Sequence, residues 1–451
     1  MTFAGFFAIL FLLAIIMNKG YKSVIDPMFY MIVIFLFFFG IKKDLELNEE
    51  SEFLLLLSFI IFISTVYLVR KRQHRKIVGF INRKNKAFHK FLIKPLQSKQ
   101  QLYLFLVVLL YVVLDFSFNT WLYGSFDKAV TRFYYRQPER EDIPTFLTII
   151  LFSLYSLSSL IIFVLSYNNA RFKTNSLYLN LSFFALALAA FPRGTRGAII
   201  SLLIIIILAN IIVGIRNNKL GIKNLFFNIK LLFPVTIVIF TFLALSSIRN
   251  KEIDNLEMLQ QTISEMDFSQ SQKEYNTSEG DLLLTDYNKC IETFGSSVEF
   301  LPIDYTLKAV LFNPIPRSLW KDKPVGFGVA LTEVKFGGQN FDYEHLAEHK
   351  WANAAGIAGE GWANEGILGL ILYSILMGLY AGILTKIVDT FLLSDNYVSL
   401  LIALLCFLAS LLTVRGDILS GITQGFYPIL FFMIILVVVQ PFVQYKYKFR
   451  S

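Results

Sequence analysis

The sequence predicts an all-α polytopic membrane protein with about eleven transmembrane helices and a large external loop between the eighth and ninth. Three observations carry that reading. First, 55% of the 451 residues are hydrophobic, 16% are aromatic and only 17% are charged. That is more apolar surface than a water-facing fold can hide, so the bilayer has to serve as solvent. Second, the apolar residues come in nearly charge-free blocks, at 3–17, 27–41, 52–69, 102–117, 144–166, 177–191, 197–215, 231–248, 366–388, 398–414 and 424–442. With its flanks each block can reach a span of about 20 residues. Third, the blocks lack the polar alternation of barrel strands. In hydrocarbon the backbone must satisfy its own hydrogen bonds, which leaves helices.

The loops set the orientation. Assigned alternately to two sides, one side (18–26, 70–101, 167–176, 216–230, 389–397, the tail 443–451, with Lys386) holds about 23 Lys and Arg against about 9 opposite. The densest run, Arg70-Lys71-Arg72 through Lys99, places that side in the cytoplasm against anionic lipid. The N-terminus is therefore expected outside and the C-terminus inside. The first block has no basic residue ahead of it, so it reads as a retained span and not as a secretory signal. The net charge of +9 is mostly this topological signal and gives no case for a nucleic-acid partner. Cys290 and Cys406 fall at different predicted depths without metal-ligand spacing, which implies neither a disulfide nor a zinc site. Three parts follow: an N-terminal bundle of about eight helices at 1–248, an external loop at 249–365, and a C-terminal bundle of about three helices with a basic tail at 366–451.

This topology gathers the unusual polar elements on the outer face. The FPRGTRG turn at 191–197 puts Arg193 and Arg196 within a turn of hydrocarbon, where an uncompensated cation is costly. The next helix starts beside them with free amide groups, and two guanidiniums at a helix N-terminus suit a diphosphate. The plainer reading is a pair of interfacial arginines on lipid headgroups. In the loop, 250–300 is polar, while 301–365 is dense in Pro, Trp, Phe and Gly. There FNPIPRSLWKDKP at 312–324 surrounds Trp320 with Arg317, Lys321 and Lys323 on a proline-stiffened segment. Trp121, Trp320, Trp351 and Trp362 all fall in outer segments, as headgroup anchors or as apolar faces for sugar rings. Glu360 sits in a glycine-rich stretch before a span, and TVRGD at 413–417 adds Arg415 and Asp417 before the last one. Glu365 is an alternative to Glu360. For Glu360 the bland reading is a solvated carboxylate; for Asp417 it is an ion pair with Arg415.

PIPRSLWKDKP, followed by GIAGEGWANEGILG at 356–369, resembles the O-antigen polymerase family, the Wzy-type oligosaccharide repeat-unit polymerases. The resemblance is clearest over 301–440 and is supported by FPRGTRG and TVRGD; 1–170 matches in hydropathy alone. It implies a bacterial plasma-membrane glycosyltransferase that acts on polyprenyl-diphosphate-linked oligosaccharide at the outer face. It also implies no metal or other cofactor, with a flippase and a chain-length regulator as partners beside the bilayer itself. The reaction joins an acceptor hydroxyl to an anomeric carbon whose leaving group is a lipid diphosphate. No outer Asp-x-Asp pair is present to hold a divalent metal, so arginines take the cation role. Arg193 and Arg196 with Glu360 and Asp417 are the candidate catalytic residues; Arg317, Trp320, Lys323, Arg415 and Trp362 are candidates for substrate binding. The polar stretch 250–300 and HLAEH at 345–349 depart from the family pattern. HLAEH fits the H-x-x-E-H spacing of a zinc protease through His345, Glu348 and His349, but no third ligand is evident in its flanks. Two rivals share the same outer cations. A lipid-linked-sugar flippase tends to carry mid-span charge and repeat halves, and here Asp115 is the chief mid-block charge. A ligase would differ only in its acceptor.

Overall fold

The computed structural model describes residues 2–41, 47–72, 95–131, 145–193, 196–217, 232–248, 253, 255–264, 279–315, 319–320, 322–348, 352–415 and 417–448. The side chains of some residues at helix ends, Arg193, Arg196 and Arg415 among them, lie outside that description. Among the described residues the chain is helical throughout, and only two isolated β-bridges occur.

The chain opens with α1 (Phe3–Lys19), α2 (Pro27–Phe35, continued by a π turn to Gly40) and α3 (Glu49–Lys71). Each has a sequence-encoded start: Thr2 Oγ1 accepts from Gly5 N, Asp26 from Met28 N with Pro27 at the first helical position, and Asn48 from Ser51 N. Next come α4 (Ser98–Tyr123), α5 (Phe126–Val130), α6 (Thr145–Phe172), α7 (Leu177–Ala190), α8 (Arg196–Arg216), α9 (Leu232–Ile248) and α10 (Leu256–Ser264). The remainder holds five short helices, α11 (Glu279–Thr293), α12 (Tyr305–Phe312), α13 (Phe327–Lys335), α14 (Tyr343–Glu348) and α15 (Gly356–Ala363), then three long ones, α16 (Gly366–Phe391), α17 (Tyr397–Arg415) and α18 (Ile418–Lys448).

The described residues of the eleven apolar blocks are almost all helical. Among the described residues, seven helices are long and apolar enough to cross a membrane: α3, α4, Leu147–Phe172 of α6, Ala198–Arg216 of α8, α16, Tyr397–Val414 of α17 and Ile418–Val438 of α18. The shorter apolar helices are Phe3–Lys19, Pro27–Gly40 and Leu177–Ala190. At about 1.5 Å per residue the last two reach only about 21 Å, against a hydrocarbon core of about 30 Å.

Contacts group the chain into two compact units. One comprises Met1–Phe91, Pro144–Phe146 and Thr277–Ser451; the other comprises Leu92–Ile143 and Leu147–Asn276. In the second, Tyr155 Oη donates to Ala198 O at 3.0 Å and Asn210 Nδ2 to Ser166 Oγ at 3.4 Å, joining α6 to α8. Asp115 is buried in α4, where Asn119 Nδ2 donates to its backbone carbonyl at 2.6 Å.

The first unit is built on the close approach of α3 and α16. Ser374, Gly378 and Gly382 recur every fourth residue on α16, and a Cβ at Gly378 or Gly382 would lie 2.7 Å from the Cβ of Thr65 or Val69. Ser58 and Ser374 share a hydrogen bond at 2.8 Å in the same seam. Small residues let backbones approach where lipid supplies no hydrophobic drive between helices, and the buried hydroxyls satisfy one another.

The two ends of this unit differ in chemistry. At one end the helix termini bring together Lys19, Asp26, Arg70 and Asp389: Lys19 Nζ reaches Asp26 Oδ2 at 2.5 Å, Arg70 reaches Asp26 Oδ1 at 2.8 Å, and Arg70 also pairs with Asp389. These four residues all lie in or beside loops that charge counting assigns to one side. The opposite end carries the short helices. Tyr287 Oη of α11 donates to Ser51 O at 2.5 Å, and Gly356 at the start of α15 packs on the Phe39 ring. Helices α11 and α15 thus sit at the helix ends remote from Arg70.

Candidate functional site

The short helices converge on one buried carboxyl group. Glu360 has no exposed surface, and neither do Thr306 and Asn364 beside it. Thr306 Oγ1, at the start of α12, donates to Glu360 Oε1 at 2.7 Å; the backbone N–H of Ile418, the first residue of α18, donates to Oε2 at 2.7 Å. Asn364, four residues after Glu360 and so on the same helical face, donates to Glu360 O at 2.8 Å and to Thr306 Oγ1 at 3.4 Å. Its backbone bridges to Leu301, whose N–H donates to Ala363 O at 2.9 Å. Tyr373 Oη of α16 donates to Ile303 O at 2.7 Å. One side chain on α15 therefore ties together α12, α15 and the N-terminus of α18.

Local sequence explains why α15 can deliver Glu360 there. Gly361 and Gly369 let α15 fold back on the start of α16; a Cβ at Gly361 would lie 2.7 Å from Leu370 Cα. Between them Glu365, with φ 74°, and Gly366, with φ 64°, make the reversal in the left-handed region. A glutamate there stores strain, which fits a turn over-determined by its surroundings.

Asp417 lies next to this carboxyl and retains 9% of its surface. It caps α18, accepting from Ser420 N at 2.5 Å and from Ser420 Oγ at 3.1 Å. A Cβ at Gly328 would lie 3.1 Å from Asp417 Oδ2, so a glycine at the start of α13 lets that helix approach the carboxylate. Burial pushes Glu360 up to about 8, the neighbouring Asp417 adds to the shift, and the bonds from Ile418 N–H and Thr306 partly oppose it. Asp417 is raised by burial as well, against its two bonds from Ser420. At neutral pH Glu360 is mostly protonated, and the pair avoids two adjacent buried charges.

The remaining predicted residues are placed as follows. Lys323 is buried and donates to Asn313 O at 2.7 Å and Ile315 O at 2.8 Å, satisfying carbonyls just past the end of α12. Trp320 meets Phe312 edge-on, with ring centroids 5.1 Å apart, and keeps 36% of its surface. Trp362 is anchored from both directions: its Nε1 donates to Phe294 O at 3.2 Å and its ring meets Phe300 edge-on. Arg317 lies outside the described residues. Arg415 closes α17 two residues before Asp417; Arg193 ends a short 3₁₀ turn, and Arg196 opens α8 in the other compact unit. His345 of HLAEH lies 3.2 Å from Glu333 Oε2, and His349 lies outside the described residues.

Sequence reasoning did not single out Thr306, Asn364, Tyr373, Asp286 or Lys335. Asn364 was findable from its i, i+4 spacing to Glu360. Lys335 Nζ reaches Asp286 Oδ1 at 2.7 Å and ties α11 to α13 across 49 residues of chain, a pairing without a local signal. No family model, curated protein or solved structure matches the chain.

Proposed function

We propose that this protein is a membrane glycosyltransferase that polymerises polyprenyl-diphosphate-linked oligosaccharide repeat units into a surface polysaccharide, at the outer face of a bacterial plasma membrane. One observation carries the reading: GIAGEGWANEGILG and TVRGD, two of the separated segments on which the resemblance rests, meet in one compact unit, where Glu360 of the first neighbours Asp417 of the second. Glu360 is the residue at which α12, α15 and α18 are held together. In this proposal the chain spans the bilayer about eleven times, and the short helices face outward.

The reaction breaks the bond between the anomeric carbon and the diphosphate oxygen and joins that carbon to an acceptor hydroxyl, whose proton must leave. Arg317 and Arg415 are assigned to the diphosphate, where guanidiniums neutralise the charge that grows on the leaving oxygen; Arg193 and Arg196, in the other compact unit, are the further cations that the resemblance implies. Asp417 keeps some exposed surface and stands two residues from Arg415, so it is the better placed of the two carboxyls to accept the hydroxyl proton. Glu360, fully enclosed, acts through what it holds. Trp320 offers an exposed aromatic face to a sugar ring.

The glycan profile of a deletion strain tests the proposal. A single repeat unit on the acceptor supports polymerisation. Absence of any unit points to a flippase, and polymer that stays unattached points to a ligase.

A further inference from the structure

The end of the first unit remote from Glu360 holds a second feature that glycosyl transfer does not use. Toward their charged ends α1 and α3, with the start of α2, line an open cleft of about 650 Å³, within the range of small-molecule sites. Phe11, Ala14, Ile15, Ile63 and Leu68 form apolar walls, and Asn18, Lys19, Tyr67, Arg70 and Lys71 close the end. The closed end carries a charge imbalance. Arg70 lies between Asp26 and Asp389, and Lys19 sits on Asp26, so two cations meet two carboxylates. Lys71 is a further, exposed cation on the cleft wall, with Arg72 beyond it as the cap of α3. Asn18 and Tyr67, both exposed, add an amide and a hydroxyl as hydrogen-bond donors.

We propose that this cleft binds one anionic phospholipid of the adjoining leaflet, with an acyl chain between α1 and α3 and the phosphate at Lys19 and Lys71. The apolar walls run along the helix axes, as a lipid chain in the same bilayer does. Lysines at the end of a span reach along their stems to the headgroup level, where a phosphate matches them in charge and depth. The Lys19–Asp26–Arg70–Asp389 cluster ties the ends of α1, α2, α3 and α16 together beside the cleft. The proposal needs the membrane-spanning helices but not the glycan reading, and it holds whichever leaflet faces this end.

Native mass spectrometry of the full chain, released from micelles loaded with phosphatidylglycerol or phosphatidylcholine of identical acyl chains, is the test. Lys19 is already matched by Asp26, so Lys71 supplies the added charge; one basic residue near a phosphate contributes about fivefold in affinity, which gives the wild type a preference of about fivefold for phosphatidylglycerol. Lys71→Gln is expected to lower that preference about fivefold. Ala14→Trp fills the cleft and is expected to abolish retention of both lipids. Leu13→Trp, on the exposed side of α1 outside the cleft, is expected to leave retention unchanged and shows that a tryptophan on this helix is tolerated. Equal retention of the two lipids by the wild type, or full retention by Ala14→Trp, overturns the proposal.

Discussion

Replacing Glu360 separates its two properties, its hydrogen bonds and its titration. Glu360→Ala leaves the Ile418 N–H and the Thr306 hydroxyl facing a void with no access to water. Each unsatisfied buried group costs about 1–3 kcal/mol, so the variant is expected to lose about 2–6 kcal/mol. Glu360→Gln has nearly the shape of the protonated acid. Its amide oxygen can accept from Ile418 N–H while its amide nitrogen donates to Thr306 Oγ1, so at neutral pH it is expected to lose under about 1 kcal/mol. The pH profile gives the sharper reading. A carboxyl raised to about 8 when folded holds a proton there that the unfolded chain releases near 4.5. Its contribution is therefore fully present below about pH 4.5 and is lost as pH rises through about 8. Apparent melting of detergent-solubilised protein, followed by fluorescence-detected gel filtration from pH 5 to 9.5, should fall across that window in the wild type and more shallowly in Glu360→Gln. If the two profiles run parallel, or if Gln costs as much as Ala, the protonated buried carboxyl is refuted.

Further outcomes follow from other parts of the molecule. Gly378→Leu drives a Cβ to within 2.7 Å of Thr65 Cβ and should cost about 1–3 kcal/mol by overpacking; the exposed Leu379→Ala on the same helix is the control, and equal melting of both variants would remove the α3–α16 seam from the account. Arg193→Lys, Arg196→Lys and Arg317→Lys keep charge but lose the planar fork, and each should reduce polymer formation about 100- to 1000-fold at matched expression. Near wild-type polymer from all three would leave them as headgroup anchors. Reporter fusions at Lys86 and Ser278 should report opposite sides, with Lys86 cytoplasmic; a cytoplasmic Ser278 would divide the outer-face site across the membrane.

The helices were legible because hydrocarbon leaves the backbone no alternative, and the described residues of the apolar blocks are almost all helical. The number of crossings was not legible to the same degree. Block boundaries say nothing of helix length, and Leu177–Ala190 and Pro27–Gly40 end short of a bilayer's thickness. Charge counting placed Lys19, Asp26, Arg70 and Asp389 in or beside loops of one side, and the fold brings all four together because unlike charges at helix ends compensate one another. Within the candidate site, the choice of Glu360 and Asp417 rested on motif and position, and the two are neighbours. What sequence left hidden was the depth of Glu360. A glycine-rich flank reads as an open loop, whereas here Gly361 and Gly369 serve close packing that removes the carboxyl from solvent. Lys323 read as a ligand cation, yet its ammonium sits on two backbone carbonyls that no local pattern announces.

The seam between α3 and α16 also imposes an order on biogenesis. Roughly 300 residues separate the two helices, and at about 5–20 residues per second a ribosome needs about 15–60 s to cover that distance. Throughout that interval Ser58 and Thr65 line a face of α3 whose partner does not yet exist, and Arg70 can meet Asp26 but not Asp389. Of the twelve described helices synthesised in between, α4–α10 belong to the other compact unit and α11–α15 to the same one. The first three helices thus wait in the bilayer as an unfinished half-interface, and truncation anywhere before Gly366 should hand them to membrane quality control regardless of how well they fold themselves.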